Sequence, residues 1–505
     1  MDSTMLYILL SIVAFLYILT TQWGNRKSGS SARLPPGPYP VPIIGSIFKL
    51  GNKPHHSLAA LSKTYGPLMS LKLGSTTTIV VSSRDIVQEL FSKHDMSISS
   101  RSVPYAAYSY THNLEKNSMA WLPVGDKWRS LRRISKEQLF SVRQLDASQG
   151  LRKKKVQELL TYIQDCSMIR KAVNVGQTAA TTTLNVLSNF IFSIDLAQYD
   201  SVSAEQFKDL VGALMEVGGT PNLADFFPVL RPLDPHGLLK RANLITGKLM
   251  AIFEKHINNR LEVRATRSSD APSSTNDLTD LLLDMCESEI PSISLDDMRV
   301  LLFDLFIAGT ETTSSTLEWA MAELIRNPEK MSKAQSELKE LMGNQDGPVD
   351  ESNISRLPYL QAVVKETLRL HPPVTFLVPH RAISDVKVRG YMIPKDAQVL
   401  CNMWAMGQDS NVWPNPHMFE PERFLDVKID YKGQDFEYIP FGTGRRMCPG
   451  LPLAHRMLHL MLGSLIHNFD WKIEGGVRPQ DMDMTDKFGF TLQKNLPLLA
   501  IPVKL

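Results

Sequence analysis

The hydrophobic pattern separates an uncharged apolar start from a long body with mostly helical periodicity. Residues 3–25 carry no charged side chain, and Met5–Leu19 is almost wholly apolar. About 20 helical residues span a hydrocarbon core of roughly 30 Å. Because Arg26, Lys27 and Arg33 follow this stretch, the body is expected on the cytoplasmic side. We predict a signal anchor over residues 1–25, since a cleaved signal peptide would carry basic residues before its apolar run.

The segment after the predicted anchor is rich in proline. Leu34–Pro38 is followed by Pro40 and Pro42. Prolines at this density exclude a helix and favour a stiff extended spacer. We therefore predict a basic flank and proline-rich hinge over residues 26–45 and one large domain over residues 46–505.

Within the body, apolar and polar residues alternate along one stretch, as in a strand. Along most of the rest, apolar residues recur with the period of a helix. Leu68–Val81 partly alternates and is rich in β-branched residues, which predicts a small hairpin. Leu301–Asn327 is long and mostly apolar, which predicts a buried helix. Val374–Val378 predicts a short strand. The predicted fold class is mainly α with small β sheets, in a single large helical domain.

Composition and charge narrow the function classes. The chain has 505 residues, of which 43% are hydrophobic, ample for a large core. Its net charge of +3 is too small to indicate a nucleic-acid partner. Cysteine spacing excludes a zinc motif and indicates reduced thiols in a cytosolic compartment rather than a disulfide framework. The four cysteines are Cys166, Cys286, Cys401 and Cys448.

Candidate chemistry concentrates in the stretch FGTGRRMCPG, where Cys448 stands among glycines and arginines. Gly444 permits a tight turn, and Gly450 lets the backbone approach a bulky group. Pro449 suits the first position of a helix that begins around Leu451. Cys448 would then lie at the positive end of that helix, which favours an anionic sulfur. A thiolate that donates to haem iron needs this setting, whereas an isolated cysteine is otherwise a small buried hydrophobe.

The spacing F-x-x-G-x-R-x-C-x-G in this stretch resembles the haem-binding signature of the cytochrome P-450 family. The resemblance implies the fold of that family, haem b (iron protoporphyrin IX) as cofactor, and Cys448 as the axial ligand of the iron. It implies that Arg446 pairs with a haem propionate and that Phe441, Gly442 and Gly450 belong to the loop that binds the cofactor.

Further motifs occur in the order that the family has them. Trp128 and Arg132 share a helical face and match W-x-x-x-R, whose side chains bind a haem propionate in the family. His380 occupies the place of another propionate-binding residue. Glu311 and Thr312 lie in a stretch similar to A-G-x-[DE]-T-[TS]. By that resemblance they form the acid–alcohol pair that relays protons during the oxygen chemistry.

Three charged residues resemble the family's scaffold behind the cysteine. Glu366 and Arg369 are three apart in E-x-x-R, and Arg423 lies in P-E-R-F. The resemblance implies that they form a buried triad with a structural role. Such a network is costly to break because a lost partner leaves a buried charge unpaired.

The predicted substrate pocket is mostly apolar. Its candidates come from an irregular region near residue 105, the long helix, the predicted strand and a turn near the chain end. They are Tyr105, Leu302, Phe306, Ala308, Val374, Phe376, Val378 and Phe488.

Stretches such as Pro221–Pro228 and Lys487–Lys494 are similar to plant microsomal members of the family, closest to the geraniol hydroxylase and ferruginol synthase-like clade. The resemblance implies an NADPH- and O2-dependent monooxygenase that hydroxylates a small apolar plant metabolite, a terpenoid such as geraniol or a diterpene. It implies electron supply from NADPH through NADPH-cytochrome P-450 reductase. It also implies a single-pass position in the endoplasmic reticulum membrane.

Three alternatives stay open. The same fold could hydroxylate an aromatic amino acid such as tyrosine, but the sequence identifies no anchor for a zwitterion. An oxygen-independent haem isomerase or dehydratase is disfavoured by Thr312, which such members of the family tend to lack. A non-catalytic haem ligand carrier would bind its ligand without consuming reducing equivalents.

Surface predictions concern three segments. The helix around Trp128 has a basic face, which is either a docking surface for an acidic electron donor or a solvated face. The residues of that face are Lys127, Arg129, Arg133 and Lys136. Tyr105, Tyr108, Tyr110 and His112 lie in a predicted irregular region, and Ser268–Asn276 predicts a polar flexible loop.

Overall fold

The computed structural model describes residue 11 and residues 33–108, 113–266, 277–288, 293–343 and 346–505. Several predicted features lie outside these residues: the anchor apart from Ser11, Arg26, Lys27, Tyr110, His112 and the loop Ser268–Asn276. Among the helices within the described ranges, none is both long enough and apolar enough to span a bilayer.

Helices dominate the described chain. In order they are α1 (Pro54–Tyr65), α2 (Arg84–Lys93), α3 (Leu114–Asn117), α4 (Asp126–Ile134), α5 (Val142–Ala147), α6 (Gln149–Met168), α7 (Val175–Phe192), α8 (Val202–Gly219), α9 (Leu223–Phe226), α10 (Leu238–Ala265), α11 (Leu278–Glu287), α12 (Leu295–Arg326), α13 (Pro328–Met342), α14 (Pro358–Leu370), α15 (Met403–Gly407) and α16 (Leu451–Asn468). Short 3-10 turns include Tyr105–Ala107, Pro228–Leu233, Pro421–Phe424 and Gly444–Arg446.

The strands form small sheets beside the helices. They are β1 (Leu68–Leu73), β2 (Thr76–Val81), β3 (Ser100–Arg101), β4 (Val173–Asn174), β5 (His380–Arg381), β6 (Val386–Val388), β7 (Tyr391–Ile393), β8 (Gln398–Cys401), β9 (Phe469–Ile473), β10 (Asp486–Lys487), β11 (Gln493–Lys494) and β12 (Leu499–Lys504). The largest sheet has the order β1-β2-β8-β5-β3, and the others are β4-β12-β9, β6-β7 and β10-β11. The predicted hairpin is confirmed, with Leu68 opposite Val81 in antiparallel register. The predicted class, mainly α with small sheets, is confirmed.

Helix α12 forms the centre of the described structure. It begins at a capping box, in which the Ser294 hydroxyl and the Asp297 carboxylate satisfy each other's backbone N–H groups. Most of its side chains are buried, as the apolar stretch Leu301–Asn327 predicts. Gly309 allows α7 to pack closely, because a β-carbon there would lie 2.8 Å from Cδ1 of Leu187. The free cysteines agree with the prediction of reduced thiols.

Two local predictions are wrong. Val374–Val378 is not a strand: Leu377 has a φ of 54° and its N–H donates to the Val374 carbonyl across a turn. Pro372, Pro373 and Pro379 flank this turn and have no N–H group for a ladder. Pro449 is not the first helical residue either, because α16 begins at Leu451 with Gly450 as its cap.

The proline-rich segment is extended and packs on β1. The Ser70 N–H donates to the Pro36 carbonyl at 2.8 Å, and the Ser70 hydroxyl donates to the Pro35 carbonyl at 2.6 Å. Gly37 allows this approach, since a β-carbon there would lie 1.8 Å from the Ser70 carbonyl oxygen. This part of the predicted hinge is therefore bound to the sheet rather than a free spacer.

The three predicted scaffold residues lie together, Glu366 and Arg369 on α14 and Arg423 in the turn Pro421–Phe424. Glu366 and Arg369 have fully buried side chains and share two hydrogen bonds of 2.7 Å. Arg423 donates to the same carboxylate at 3.0 Å. Arg369 also donates to the Pro416 carbonyl, and Arg423 to the Pro414 carbonyl, each at 2.8 Å. The triad thus fixes the long coil that leads towards Cys448.

We predict that Glu366→Gln lowers the free energy of unfolding by about 3–5 kcal/mol, because the buried Arg369 loses its counter-charge and Arg423 keeps only its pair with Glu420. The measurement is the urea midpoint of the purified holoprotein. The matched control is Arg478→Ala, which breaks the exposed 2.6 Å pair with Asp481 and should cost about 0.5 kcal/mol or less. Equal shifts of the urea midpoint in the two variants would contradict a stabilising role of the buried triad.

Candidate haem and substrate site

A cavity of about 390 Å³ lies between the middle of α12, the cysteine loop (residues 441–450) and the segments that follow α14 and β10. Apolar side chains form most of its wall. All eight residues predicted to bind the cofactor line this one cavity: Trp128, Arg132, His380, Phe441, Gly442, Arg446, Cys448 and Gly450. The tertiary structure therefore brings together residues from three separate parts of the chain.

The backbone of the cysteine loop is bent by two glycines. Gly442 and Gly444 have φ angles of 73° and 65°, which residues with a β-carbon rarely adopt. The Cys448 N–H donates to the Phe441 carbonyl at 2.9 Å and closes the loop. These contacts place the cysteine at the cavity wall immediately before α16.

The Cys448 sulfur accepts hydrogen bonds from the N–H groups of Gly450 and Leu451 at the N-terminal end of α16. Burial raises the pKa of the thiol, while these N–H groups and the charge of Arg132 oppose that rise. Hydrogen bonds to the anionic form stabilise a thiolate, and the unpaired N–H groups of a helix end provide them.

Three guanidinium groups meet in the same cavity, from Arg101, Arg132 and Arg446. The described residues supply no salt bridge to any of them. They donate to backbone carbonyls instead: Arg101 to Val378, Arg132 to Met447, and Arg446 to Ser99 at 2.9 Å. The Nε of Arg101 is buried and has no hydrogen-bond partner.

Burial is the largest cause of the lowered pKa values of these three arginines. Mutual repulsion lowers the pKa of Arg101 and Arg446 further, that of Arg446 to about 10. Buried cations without a counter-charge are unfavourable, so an anionic group that binds between them would be stabilised. The Arg446 guanidinium also lies 4.8 Å from the centre of the Trp128 ring, in cation–π distance.

His380 lines the cavity in a neutral form. Burial and the nearby charges of Arg101 and Arg446 hold its pKa well below the ordinary value. Its Nδ1 lies 2.9 Å from the Ile98 carbonyl, to which it donates. Nε2 is then left as an acceptor, so the cationic part of this site comes from the arginines.

These observations fit an iron porphyrin. A sulfur held by two N–H groups matches a thiolate ligand. Three guanidinium groups that form no salt bridge with the described residues, one of them with an orphaned Nε, match the carboxylates of propionates. Apolar side chains over most of the wall suit a large flat ring system.

The two predicted proton-relay residues point in different directions. Thr312 lines the cavity, and its hydroxyl donates to the Ala308 carbonyl at 2.7 Å. Glu311 lies outside the wall, where its Oε1 accepts a hydrogen bond of 2.6 Å from Nε2 of Gln493. Burial raises the pKa of the Glu311 carboxyl, while Lys208 and Gln493 act in the opposite direction.

Three of the eight predicted pocket residues line the cavity: Ala308, Val374 and Val378. Leu302 and Phe306 do not, because they project from another face of α12 into the core. The Phe306 ring stacks on Phe253 of α10 with centroids 4.3 Å apart.

The remaining three predicted pocket residues also lie off the wall. Phe488 stacks on His55 at 5.3 Å, and Phe376 packs edge-on against Phe488 at 6.0 Å. The Tyr105 hydroxyl donates to the Arg231 carbonyl at 3.0 Å. The sequence predicts the segments correctly here but not the direction of each side chain, since turns follow no fixed side-chain period.

Sequence reasoning missed several wall residues, above all Arg101, Trp121, Asp304 and Phe490. Asp304 had a detectable signal, because it is a charged residue one helical turn before Ala308 in an otherwise apolar run. Arg101 and Trp121 carried no such signal, because Arg101 lies in a strand of only two residues and Trp121 lies in irregular chain.

Comparisons with known proteins agree with this site. The family model described as Cytochrome P450 matches residues 35–500. The chain is 52% identical to Cytochrome P450 76T24 of Catharanthus roseus over 99% of both chains. It is 49% identical to geraniol 8-hydroxylase of Catharanthus roseus, covering 99% of this chain and 98% of the relative. It is 45% identical to ferruginol synthase of Salvia fruticosa, covering 98% and 99%.

A solved structure of a zebra fish cytochrome P450 with progesterone has a TM-score of 0.73 to this chain at 26% identity. The match covers 89% of this chain and 99% of that chain.

We predict that Arg101→Leu speeds the loss of haem to an excess of apomyoglobin by about tenfold or more, because a charge-assisted hydrogen bond is removed. The measurement is the rate of haem transfer followed by absorbance. Arg445→Ala is the matched control, because Arg445 is half exposed, pairs with Asp95 and does not line the cavity. A transfer rate for Arg101→Leu equal to that of the control would refute the assignment.

Proposed function

Because the chain belongs to the cytochrome P450 family, and its relatives include monooxygenases, we propose that it hydroxylates a small apolar terpenoid. A monoterpenoid alcohol such as geraniol is the first candidate, and a diterpene is the second. The observation that carries the proposal is the apolar wall above the cysteine, formed by side chains such as Ala308, Val374 and Phe490. Relatives named geraniol 8-hydroxylase and ferruginol synthase support the same substrate class.

Members of the family bind haem b and take electrons from NADPH through a reductase. When bound, the haem supplies the activation of O2 that places one oxygen atom in the substrate. The chain is accordingly an oxidoreductase that incorporates oxygen.

The residues around the cysteine hold the cofactor in this proposal. Cys448 provides the thiolate, which the N–H groups of Gly450 and Leu451 stabilise. Arg101, Arg132 and Arg446 would pair with the propionates, and the indole of Trp128 packs against Arg446. Apolar side chains keep water away from the substrate and leave its C–H bonds facing the reacting centre.

Glu311 and Thr312 handle protons in this proposal. The raised pKa lets the Glu311 carboxyl hold a proton nearer to neutral pH than an exposed glutamate could. Thr312 exchanges protons at its Oγ, which lines the cavity. For Glu311 to reach Thr312, its carboxylate must leave the amide of Gln493.

An exposed apolar patch supports a place at the endoplasmic reticulum membrane. Its side chains come from residues 39–48 and from residues 229–233. Gly45 of the first segment pairs with Leu73 at the tip of the β1–β2 hairpin, and the Ser75 N–H donates to the carbonyl of Phe226, shortly before the second segment. The large exposed side chains of the patch are Tyr39, Phe48, Val229 and Leu233. Patches of this kind mark surfaces that bind membranes or proteins. With the predicted anchor, the patch would hold the catalytic domain against the cytoplasmic leaflet.

The basic surface of α4 and of the helical turn Ser135–Leu139 that follows it supports docking of the reductase. Lys127, Arg129, Arg133 and Lys136 are all exposed. Lys127 already pairs with Asp297 at 2.5 Å and Arg129 with Asp126 at 2.7 Å. Arg133 and Lys136 are therefore the better candidates for contacts with an acidic partner.

The substrate proposal is tested with microsomes that contain the full-length chain and a plant reductase. Geraniol, an abietane diene and tyrosine are offered in parallel, and products are identified by mass spectrometry. We expect NADPH-dependent hydroxylation of geraniol, and none with Cys448→Ser, which lacks the thiolate. Turnover of tyrosine alone would refute the terpenoid proposal, and product formation without NADPH would refute monooxygenation.

We predict that Thr312→Ala keeps cofactor binding but diverts electrons from product into hydrogen peroxide, because the cavity loses a hydroxyl that delivers protons. The measurement is product and peroxide formed per NADPH consumed, with an expected loss of coupling of about tenfold or more. Thr316→Ala is the matched control, since its hydroxyl donates to the Thr312 carbonyl on the same helix but lies outside the cavity. Unchanged coupling in Thr312→Ala would refute the role.

A further inference from the structure

Asp304 is the one acidic side chain among the described residues that line the cavity. It lies on α12 one turn before Ala308 and two turns before Thr312, on the same face of the helix. The charged groups of Arg101, Arg132 and Arg446 belong to the cofactor end of the cavity. No salt bridge to Asp304 occurs within the described chain, so its charge has no counter-ion there.

Hydrogen bonds to Asp304 come from one short segment of chain. The Ser118 hydroxyl lies 2.9 Å from both carboxylate oxygens, and the Met119 N–H donates to Oδ2 at 2.8 Å. The Ala120 N–H adds a third donor. A carboxylate offers about four lone-pair sites, so three donors leave one acceptor site free.

Burial raises the pKa of Asp304 to about 7, although the three donors oppose this rise. The residue nevertheless keeps part of its surface accessible, and it adjoins the cavity. A buried carboxylate that lacks a counter-charge and has a free acceptor site is stabilised by any hydrogen-bond donor in the cavity.

We propose that Asp304 is a specificity-determining residue, whose carboxylate accepts a hydrogen bond from the hydroxyl group of an otherwise apolar substrate. This inference deepens the proposed function and rests on it. The hydroxyl is held at Asp304, and the apolar remainder extends along α12 past Ala308 towards Thr312. Eight residues of helix span about 12 Å.

The hydrogen bond to Asp304 determines which carbon of the substrate is oxidised. A chain-like terpenoid alcohol held by its hydroxyl at Asp304 presents its opposite end near Thr312. Geraniol carries its hydroxyl on carbon 1, so carbon 8 is at the remote end of the chain. The inference therefore predicts oxidation remote from the hydroxyl group, and weak binding of analogues that cannot donate a hydrogen bond.

A purely structural role for Asp304 makes a different prediction. The segment that Asp304 binds is also held by Arg446, which donates to the Met119 and Leu122 carbonyls. If Asp304 only positioned this segment and the Trp121 ring within it, its loss would weaken all ligands equally. Ser118→Ala separates the two roles, because it removes a contact with the segment but keeps the carboxylate.

The test measures equilibrium binding to the full-length holoenzyme through the change in haem absorbance on titration. The ligand pairs are geraniol with geranyl methyl ether, and 1-decanol with its methyl ether, which can accept but not donate. In the wild type we expect each alcohol to bind about tenfold or more tightly than its ether. In Asp304→Asn the ratio should fall towards one, and in Ser118→Ala it should persist.

Several outcomes would overturn the inference. If the wild-type enzyme binds alcohol and ether with equal affinity, the inference is refuted before any variant is measured. An unchanged ratio in Asp304→Asn, or a ratio lost equally in Ser118→Ala, assigns Asp304 a structural role only. If geraniol is not hydroxylated but 1-decanol still binds more tightly than its ether in a way that depends on Asp304, the proposed substrate is wrong and the proposed role of Asp304 is supported. If geraniol is hydroxylated but alcohols and ethers bind equally well, only the proposed role of Asp304 is refuted.

Discussion

The structure depends on the surroundings of one sulfur atom, that of Cys448, inside a large apolar core. Burial disfavours a thiolate, and two backbone N–H groups at the start of α16 oppose that cost at Cys448. Those groups are available only because Gly442 and Gly444 bend the loop so that the cysteine precedes the helix. The buried charge triad fixes the preceding coil, so the position of one sulfur depends on ion pairs formed far from it in sequence.

The second constraint is the balance of charge in the cavity. Arg101, Arg132 and Arg446 repel one another and have no carboxylate partners in the described chain, so the protein is incomplete without an anionic cofactor. Asp304 is a buried carboxylate that forms no salt bridge with any cation in the described part of the chain. In the proposal the two ends of the cavity bind different groups: propionates at the arginines and the substrate hydroxyl at Asp304.

Helix α12 connects the two ends through its periodicity. Asp304, Ala308 and Thr312 recur every fourth residue and share the cavity face. Leu302 and Phe306 are offset by half a turn and pack against α10. One helix therefore supplies the hydrophobic core on one side and the substrate wall on the other, and a shift of about two residues, half a turn, would exchange these roles.

The sequence by itself predicted most of the elements and the motif around the cysteine, because both depend on local order. The hairpin, the long helix and the helix after Cys448 follow from periodicity, and the cysteine loop is a contiguous motif with fixed spacing. Only the tertiary structure decided which side chains face the cavity. Arg101 lies in a strand of only two residues, too short to show an alternation, and Glu311 accepts a hydrogen bond from Gln493 of the distant strand β11, so spacing reveals neither contact. Outside long regular elements, the direction of a side chain is set by contacts between segments that are far apart in the chain. The local pattern of hydrophobic residues does not reveal these contacts.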